Sequence, residues 1–552
     1  MVEKRRSLWL IGVAAFCSIG LTIAAPELRA APPARYAVST ENARATREAM
    51  DVLAKGGNAV DAAVTAALVT GVTNPTSSGL GGGGFALVYL AQEKKTELLD
   101  FRETAPAGVD TAAFEGSLAE RRGQLVGVPG EVAGLYALHQ KLGKSRWADL
   151  VGRAERAASQ GFVVEAHLGR VVTQKGHEAF QRDAGLKALL YPGGKPIAAG
   201  QRVKRPNLAR TLRRIAQEGP KAFYTGAIAA ELARVARDAG GALSESDLAS
   251  YAPKERTPLE ITWEGYRILT MPPPSAGGLL LAQTLAMHSR ADLKALGLRS
   301  PAYTHVLAES MRGSIVDRYR YVGDPDRVKV DVPALLDPAR LAKRKGEIVP
   351  DRTRMVQTIA TREQGTHHLV ALDADGNAVS LTTTVNTAFG ADLLAPASGV
   401  ILNDELDDFA SDRETLPYAA NNPNRAVPGA RPVSSMTPTI VLSEGRVVLA
   451  LGGSGGPTIP PCVTEVLLAR LAFGESIEAA VKAPRFVPSP GPTTIRLEAG
   501  FTDREKRELE WRGENHAPIP SFFGVQAIAV DPASGAITAT ADPRKSGLAE
   551  VR

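Results

Sequence analysis

Cysteine is nearly absent from this 552-residue chain: only Cys17 and Cys462 occur. Cys17 lies in an apolar N-terminal segment, and the preceding Phe16 argues against a lipoprotein site. Once that segment is removed, a single thiol remains and no internal disulfide can form, so stability must come from the core. Metal-ligand spacing is also missing. The eight histidines (His139, His167, His177, His288, His305, His367, His368 and His516) form no H-E-x-x-H, and there is no C-x-x-C. His367 and His368 are adjacent on an expected strand, so their rings point to opposite faces and do not make a ligand pair. No cofactor is expected. Long basic runs are absent as well. The 65 basic and 59 acidic residues leave a net charge of +6 with no clustered patch, which excludes nucleic acid as an expected partner. After the first thirty residues no apolar run is long enough to span a bilayer.

The N-terminus itself reads as a secretory signal. Lys4-Arg5-Arg6 precedes the apolar stretch Leu8 to Ala25, and small residues at Ala24-Ala25 and Ala30-Ala31 offer cleavage points. The expected boundaries are 1–30 for the signal and 31 onward for an exported, periplasmic or secreted chain. An uncleaved membrane anchor is the other reading of this segment. Lys4, Arg5, Arg6 and Arg29 against Glu3 and Glu27 carry a net +2, so the mature chain is close to +4.

Helices are expected over Asn42 to Leu53, stopped by Gly56-Gly57, and over Ala59 to Val69. The glycine run in SSGLGGGGFALVYL (77–90) lacks a Gly-Lys-Ser/Thr ending and precedes its strand, so it reads as a tight turn and not as a phosphate loop. A strand follows over Thr96 to Phe101, and Gly127-Val128-Pro129-Gly130 opens a helix from Glu131 to Leu142. Residues 145–300 read as mostly helical with a break at Pro272-Pro273-Pro274-Ser275, and 301–345 continue so with an interruption at Gly323 to Asp326. Asp351 to Gly365 reads as an exposed linker. Beyond it the chain becomes strand-rich, with turns at Asp375-Gly376, Glu444-Gly445 and Asp531 to Gly535 and one helix over Val463 to Phe473. Helices first and strands later fit either two domains or one sandwich whose sheets the second half completes.

The stretch GTHHLVALDADGNAVSLTTTVN, Gly365 to Asn386, reads as a β-hairpin about Asp375-Gly376. Its pairing sets Thr366 opposite the Thr383 to Val385 region, so one hydroxyl residue meets a cluster of hydroxyls and Asn386. A second hairpin, Thr437 to Ser443 and Arg446 to Leu451, turns at Glu444-Gly445. Its pairing is expected to set Ser434-Ser435 opposite Ser454-Gly455, offering hydroxyls and free backbone N–H groups for a carboxylate or an oxyanion. Two ordinary turns would give the same pattern. Gly452 to Gly456 also fits G-x-S-x-G with Asp503 and His516 in triad order, but prolines at 457, 460 and 461 delay the helix that an elbow needs. Asn403 to Asp408, NDELDD, suits either a substrate ammonium or a solvated loop.

In this order the stretches MDVLAKGGNAVDAAV, GLGGGGF, DFRETAP, GVPGEVAG, MPPPSAGG, GDPDRVKV, THHLVALDADGNAVSLTTTVNTAFG, SGVILNDELDDF, RPVSSMTPTIV and GSGGPTI resemble the γ-glutamyltransferase family, from about Ser39 to Pro543. The resemblance implies an α+β fold, the N-terminal-nucleophile αββα four-layer sandwich formed jointly by two subunits. It implies a precursor that cuts itself at Gly365–Thr366 into a large subunit, 31–365, and a small one, 366–552, which together form a heterodimer. Thr366 would be the nucleophile carrying a γ-glutamyl ester and Thr384 its supporting hydroxyl. Gly455 and Gly456 would be the oxyanion donors. Arg102, Ser434 and Ser435 would bind the glutamyl α-carboxylate, and Asn386, Glu405 and Asp408 its α-ammonium. The chemistry suits those types: an N-terminal amine titrates near neutrality and can serve as the base on its own residue's hydroxyl. The implied activity is γ-glutamyl transfer from glutathione or a related amide to water, an amino acid or a peptide. A glutaryl or cephalosporin acylase of the same fold and a non-enzymatic periplasmic binder are the alternatives.

Three features depart from the family pattern. His367 stands where a small residue is usual, which is expected to alter the entrance. The C-terminus DPRKSGLAEVR lacks a Gly-aromatic finish. The segment Ala410 to Arg431, which resembles a substrate lid with Tyr418 as its gating tyrosine, is short.

Overall fold

The computed structural model describes residues 35–110, 118–353, 365–410, 422–488, 493–519 and 523–552. The expected signal segment, most of the 351–365 linker and Tyr418 lie outside the described residues. Two sheets form the centre. The strands, in chain order, are β1 (Ala37–Thr40), β2 (Gly83–Leu90), β3 (Lys95–Asp100), β4 (Lys254–Glu255), β5 (Leu259–Trp263), β6 (Tyr266–Thr270), β7 (Thr366–Leu372), β8 (Ala378–Thr384), β9 (Thr439–Ser443), β10 (Arg446–Ser454), β11 (Gly524–Val530), β12 (Ile537–Thr540) and β13 (Leu548–Val551). The first sheet has the order β13-β1-β7-β8-β2-β3-β4, and the second β12-β11-β10-β9-β6-β5. All their pairings are antiparallel.

The two sheets stack through β7 and β8 on β10. Strand parity decides what lies where. On β7, Val370 and Leu372 belong to the core between the sheets. Leu369 and Ala371 belong to the core under the helices α1 (Ala43–Ala54), α2 (Ala59–Thr73), α3 (Glu131–Leu142) and α4 (Trp147–Gln160). On the far side of the second sheet lie α5 (Gly277–Met287), α6 (Pro301–Tyr321) and α7 (Ile459–Leu471). The layers run helix, sheet, sheet, helix, which is the expected αββα sandwich. Of the two organisations left open by the sequence, the single sandwich is realised. Both sheets combine strands from before residue 365 with strands from after it.

Local chemistry explains the elements. Asn42 caps α1, accepting from the Ala45 N–H. Asn58 and Asp61 form a capping box on α2, whose Ala-rich sequence is buried on all sides. The helix from Glu131 starts where Gly130 and Glu131 N–H groups donate to Gly82 O at 2.8 Å, tying the glycine turn to α3. That turn is tight because of what it approaches: a Cβ at Gly82 would lie 2.0 Å from Thr384 O.

One expectation about elements needs correction. Residues 254–270 are strands β4 to β6, although 145–300 read as helical. Trp263-Glu264-Gly265-Tyr266 is a tight turn with Glu264 and Gly265 at positive φ, and the strongly helical sequence on both sides masks it. The C-terminus, which shows no period, forms edge strand β13 against β1. Of the expected exposed linker, Asp351 and Arg352 are exposed while Thr353 and Gly365 are buried. Among the described residues no helix is long and apolar enough to cross a membrane, and no cluster of His, Cys, Asp or Glu could hold a metal ion.

Candidate active site

The first hairpin forms in the expected register. Thr366 pairs with Thr384 across β7 and β8, and the turn falls at Asp375-Gly376. Parity turns both threonines, with His368, toward the second sheet. Their hydroxyl oxygens lie 3.3 Å apart. The Thr384 hydroxyl donates to the Gly365 carbonyl at 3.2 Å and accepts from the Asn386 N–H at 2.9 Å. The Val385 N–H also points at Gly365 O, at 3.4 Å. Gly365 N–H in turn donates to Asn386 O at 2.5 Å. The carbonyl of the Gly365–Thr366 bond is thus gripped by a hydroxyl and an amide, with the Thr366 hydroxyl alongside. Glycine is required at 365: a Cβ there would lie 2.4 Å from Thr387 O and 2.7 Å from Thr76 O.

The second hairpin supplies the facing wall. The Ser380 hydroxyl donates to Leu451 O at 2.9 Å and accepts from the Thr439 N–H at 3.2 Å, stitching the sheets together. A Cβ at Gly452 would lie 2.3 Å from the His368 ring. Since Ser380 pairs with Val370, advancing along β10 toward Ser454 means moving back along β7 toward Thr366. Gly455 and Gly456 therefore continue β10 toward the Thr366 end of the first hairpin. Both have positive φ, and a Cβ at Gly455 would lie 2.6 Å from that of Phe523, so the loop is built of glycine by necessity.

Ser434 and Ser435 are not opposite Ser454 and Gly455, contrary to expectation. The β9–β10 ladder ends at Thr439–Leu451, while β10 pairs with β11 along its other edge from Leu449 to Ser454. Pro438 has no N–H to extend the ladder. The two serines turn away to the 272–277 break, where Ser434 N–H donates to Pro274 O at 3.0 Å and Ser434 O accepts from the Ala276 N–H at 2.9 Å. Ser434 Oγ accepts from the Met436 N–H, and the Arg318 guanidinium of α6 donates to Ser435 Oγ. The serine-hydrolase triad is not assembled either. Ser454 is buried, while His516 bonds Glu510 at 3.0 Å in a part-exposed position.

The charged residues converge. Arg102 is buried, donates to Glu405 and, at 2.5 Å, to Asp408, and also reaches the carbonyls of Pro432 and Val433 at 3.0 Å. Glu405 and Asp408 sit on a 3₁₀ turn that the Asn403 side chain ties to Gly81 and Gly127. NDELDD is thus a buried cluster and not a solvated loop. Asn386, at positive φ, donates from Nδ2 to Asp404 O, and its Oδ1 has no donor among the described residues. Burial lifts the Asp404 carboxyl to about 7.

His367 does not stand at the entrance. Its parity turns it to the helix side, fully buried, with Nε2 3.4 Å from the Thr70 hydroxyl of α2, and burial lowers its pKa to about 3. Arg318 and Glu103 were not singled out in the sequence. Glu103 follows Arg102 directly, but nothing in the residue pattern signals its burial.

The family model for Gamma-glutamyltranspeptidase matches residues 45–551. The chain is 34% identical over 529 residues to a glutathione hydrolase proenzyme of Escherichia coli, covering 92% of this chain and 90% of the relative. It is 37% identical over 546 residues to glutathione hydrolase 2 of Arabidopsis thaliana, covering 93% of each. Among solved structures, a cephalosporin acylase from Bacillus halodurans superimposes with a TM-score of 0.82 at 25% identity, covering 96% of this chain and 98% of that one.

Proposed function

The chain belongs to the gamma-glutamyltranspeptidase family, and from that premise we propose that it is an exported, self-processing γ-glutamyltransferase and glutathione hydrolase. The observation that carries the reading is the arrangement of Thr366, Thr384 and the Gly365 carbonyl, with Thr384 Oγ 3.3 Å from one and 3.2 Å from the other.

Processing begins with attack of Thr366 Oγ on the Gly365 carbonyl carbon. The C–N bond breaks as the C–O bond forms, and the hydroxyl proton ends on the freed Thr366 nitrogen. The Thr384 hydroxyl and the Val385 N–H stabilise the oxyanion where it develops. Water then cleaves the ester, leaving chains 31–365 and 366–552. Thr366 now carries a free α-amine, a base on the same residue as its nucleophile.

In turnover that amine takes the Thr366 hydroxyl proton as Oγ attacks the γ-carbonyl of the substrate. Gly455 and Gly456 N–H groups receive the oxyanion. The amine leaving group takes the proton, and water or an amino-acid or peptide acceptor resolves the γ-glutamyl ester. Arg102 with Ser434 and Ser435 binds the α-carboxylate. Glu405, Asp408 and Asn386 bind the α-ammonium. Arg102, Glu405 and Asp408 together carry one net negative charge, which suits a ligand that brings an ammonium alongside a carboxylate.

The likeness to a cephalosporin acylase structure favours a second reading, hydrolysis of glutaryl amides. A glutaryl group has no ammonium, and two acids buried on Arg102 would serve nothing there. Purified protein should separate into two chains at Gly365–Thr366 under denaturing conditions, Thr366→Ala should stay whole, and γ-glutamyl-p-nitroanilide should be cleaved faster than glutaryl-p-nitroanilide. An intact, fully active wild-type chain refutes the proposal, and the reverse substrate order transfers it to the acylase.

A further inference from the structure

A cavity of about 640 Å³ opens beside the first turns of α1. Arg44 and Arg47 of α1 line it, with Thr73 at the end of α2 and with Phe162, Val163 and Arg202. None of these residues belongs to the set around Thr366. The last three lie on a short antiparallel ribbon that pairs Phe162-Val163 with Arg202-Val203. The ribbon starts at Gly161, which ends α4 with a φ of +92°. A Cβ there would lie 2.9 Å from Val203 O, so the turn that presents the Gly161 carbonyl to α1 requires glycine.

Two guanidiniums meet on that carbonyl. Arg44 Nη1 donates to Gly161 O at 3.0 Å and Arg202 Nη1 at 3.1 Å, which holds two positive charges within about 6 Å of each other. One carbonyl dipole is a weak counterweight to two whole charges. Among the described residues Arg202 has no other hydrogen-bond or ion-pair partner, Arg47 has none, and Arg44 has only Glu48, at 3.9 Å. The two acids that line the cavity are committed elsewhere. Glu48 accepts from Arg153 of α4 at 2.8 Å. Glu165 accepts from Asn42 Nδ2 at 2.9 Å and from the Ala43 N–H at 3.0 Å, at the start of α1. Burial first, opposed by Glu48 and reinforced by Arg202 and Arg156, lowers the pKa of Arg44 below its usual value.

We propose that this cavity is a second ligand site, separate from the catalytic one, and that it takes a phosphoryl group carried on an organic body. Arg44, Arg47 and Arg202 offer three guanidinium forks. A phosphoryl dianion presents three oxygens, one to each fork, and its charge relieves the crowding at Gly161 O. A single carboxylate presents two oxygens and one charge, and leaves a guanidinium unanswered. The volume is that of a cavity for an organic ligand and not for a bare ion. Phe162 and Val163, the latter 50% exposed, form an apolar wall for the rest of such a ligand. A soluble phosphomonoester and a phospholipid headgroup share this chemistry. The site does not depend on the γ-glutamyl reading.

The test is calorimetric titration of the purified protein with phenyl phosphate, together with its thermal midpoint with and without that probe. Wild type should bind phenyl phosphate and melt higher in its presence. Arg44→Gln combined with Arg202→Gln should weaken binding about tenfold or more, the loss expected when charge-assisted hydrogen bonds are removed. Without the probe this double variant should melt no lower than wild type, because it loses two repelling charges. A purely structural role for the pair predicts a lower midpoint. A control, Arg504→Gln combined with Arg507→Gln, removes the same charge from the exposed face of the helix Asp503–Trp511 and should bind as wild type does. Sedimentation with phosphatidylcholine vesicles, with and without phosphatidic acid, distinguishes the sources. Capture by the phosphatidic acid vesicles that the double variant loses places the phosphoryl group on a lipid. Phenyl phosphate binding without vesicle capture makes the ligand soluble. Neither interaction in wild type, equal binding by the double variant, an equal loss in the control, or a lower midpoint of the unliganded double variant overturns the proposal.

Discussion

Thr384 does two things with one hydroxyl. It accepts from the Asn386 N–H and, by position, from Thr366, and it donates to the carbonyl that must be broken. Thr384→Ala removes the donor to the developing oxyanion and should slow appearance of the two chains by about 10²–10³-fold, the range typical of an oxyanion-hole donor. Thr384→Ser keeps the hydroxyl and should process within about tenfold of wild type on the same reasoning. Denaturing gels over time measure both, and equal rates for the alanine and wild-type chains would remove Thr384 from the mechanism. These roles were legible in the sequence to the extent that they follow from pairing and parity. Period-two alternation about Asp375-Gly376 sets Thr366 opposite the Thr383 to Val385 region with no knowledge of the rest of the molecule, and the structure gives Thr384 as the partner. The burial of Glu103 was not legible, because it depends on what distant segments place around it.

At the scale of elements, the first hairpin is held shut by the segment that follows it. Asn386, Phe389, Gly390 and Asp392 all have positive φ. This irregular turn carries Thr387 O to within 2.4 Å of where a Cβ on Gly365 would stand. Gly365→Ala cannot be absorbed by a side-chain movement, since the obstructing atoms are backbone. The variant should process at least about tenfold more slowly, as displacement of the scissile carbonyl by even 1 Å costs much of the positioning effect. Wild-type processing kinetics in Gly365→Ala would contradict this. The same scale shows why the second hairpin misled. Its strands and turn are visible in the sequence, but the ladder stops at Thr439, before Pro438, so extending its register does not give the neighbours of Ser434 and Ser435. Arg102 bonds the carbonyls of Pro432 and Val433, the two residues that precede them. Strands β5 and β6 form a local hairpin, but the sheet that receives it is continued by β9, far along the chain, and that long-range pairing leaves no local period.

Across the whole molecule, buried acids couple stability to pH. Glu103 titrates at about 8, and Glu165 and Asp404 at about 7, burial being the largest cause in each case. An unfolded carboxyl titrates near 4. Between those values the folded chain holds protons that the unfolded chain has lost, so stability falls as pH rises through the window. Buried His167, His288 and His367, lowered to about 2, 4 and 3 by burial, act oppositely, but only below about 6.5, where the unfolded histidines take up protons. Above 6.5 only the acids contribute to the slope. The thermal midpoint of the Thr366→Ala chain should therefore be lower at pH 8.5 than at pH 6.5 by calorimetry, and an equal or higher midpoint would contradict the assignment of those protons. The four-layer order was implied by resemblance and not by pattern. Composition and period left one sandwich or two domains, and only the interleaving of strands from both halves distinguishes them.

The central claim is that Thr366 becomes an N-terminal nucleophile carrying a γ-glutamyl group. Mass spectrometry of the purified protein, with and without rapid quenching after γ-glutamyl-p-nitroanilide, tests it most directly. The prediction is two chains separated at Gly365–Thr366, with the smaller gaining one γ-glutamyl group on Thr366. A single uncleaved chain that turns over substrate, or an acyl group on any other residue, would contradict it.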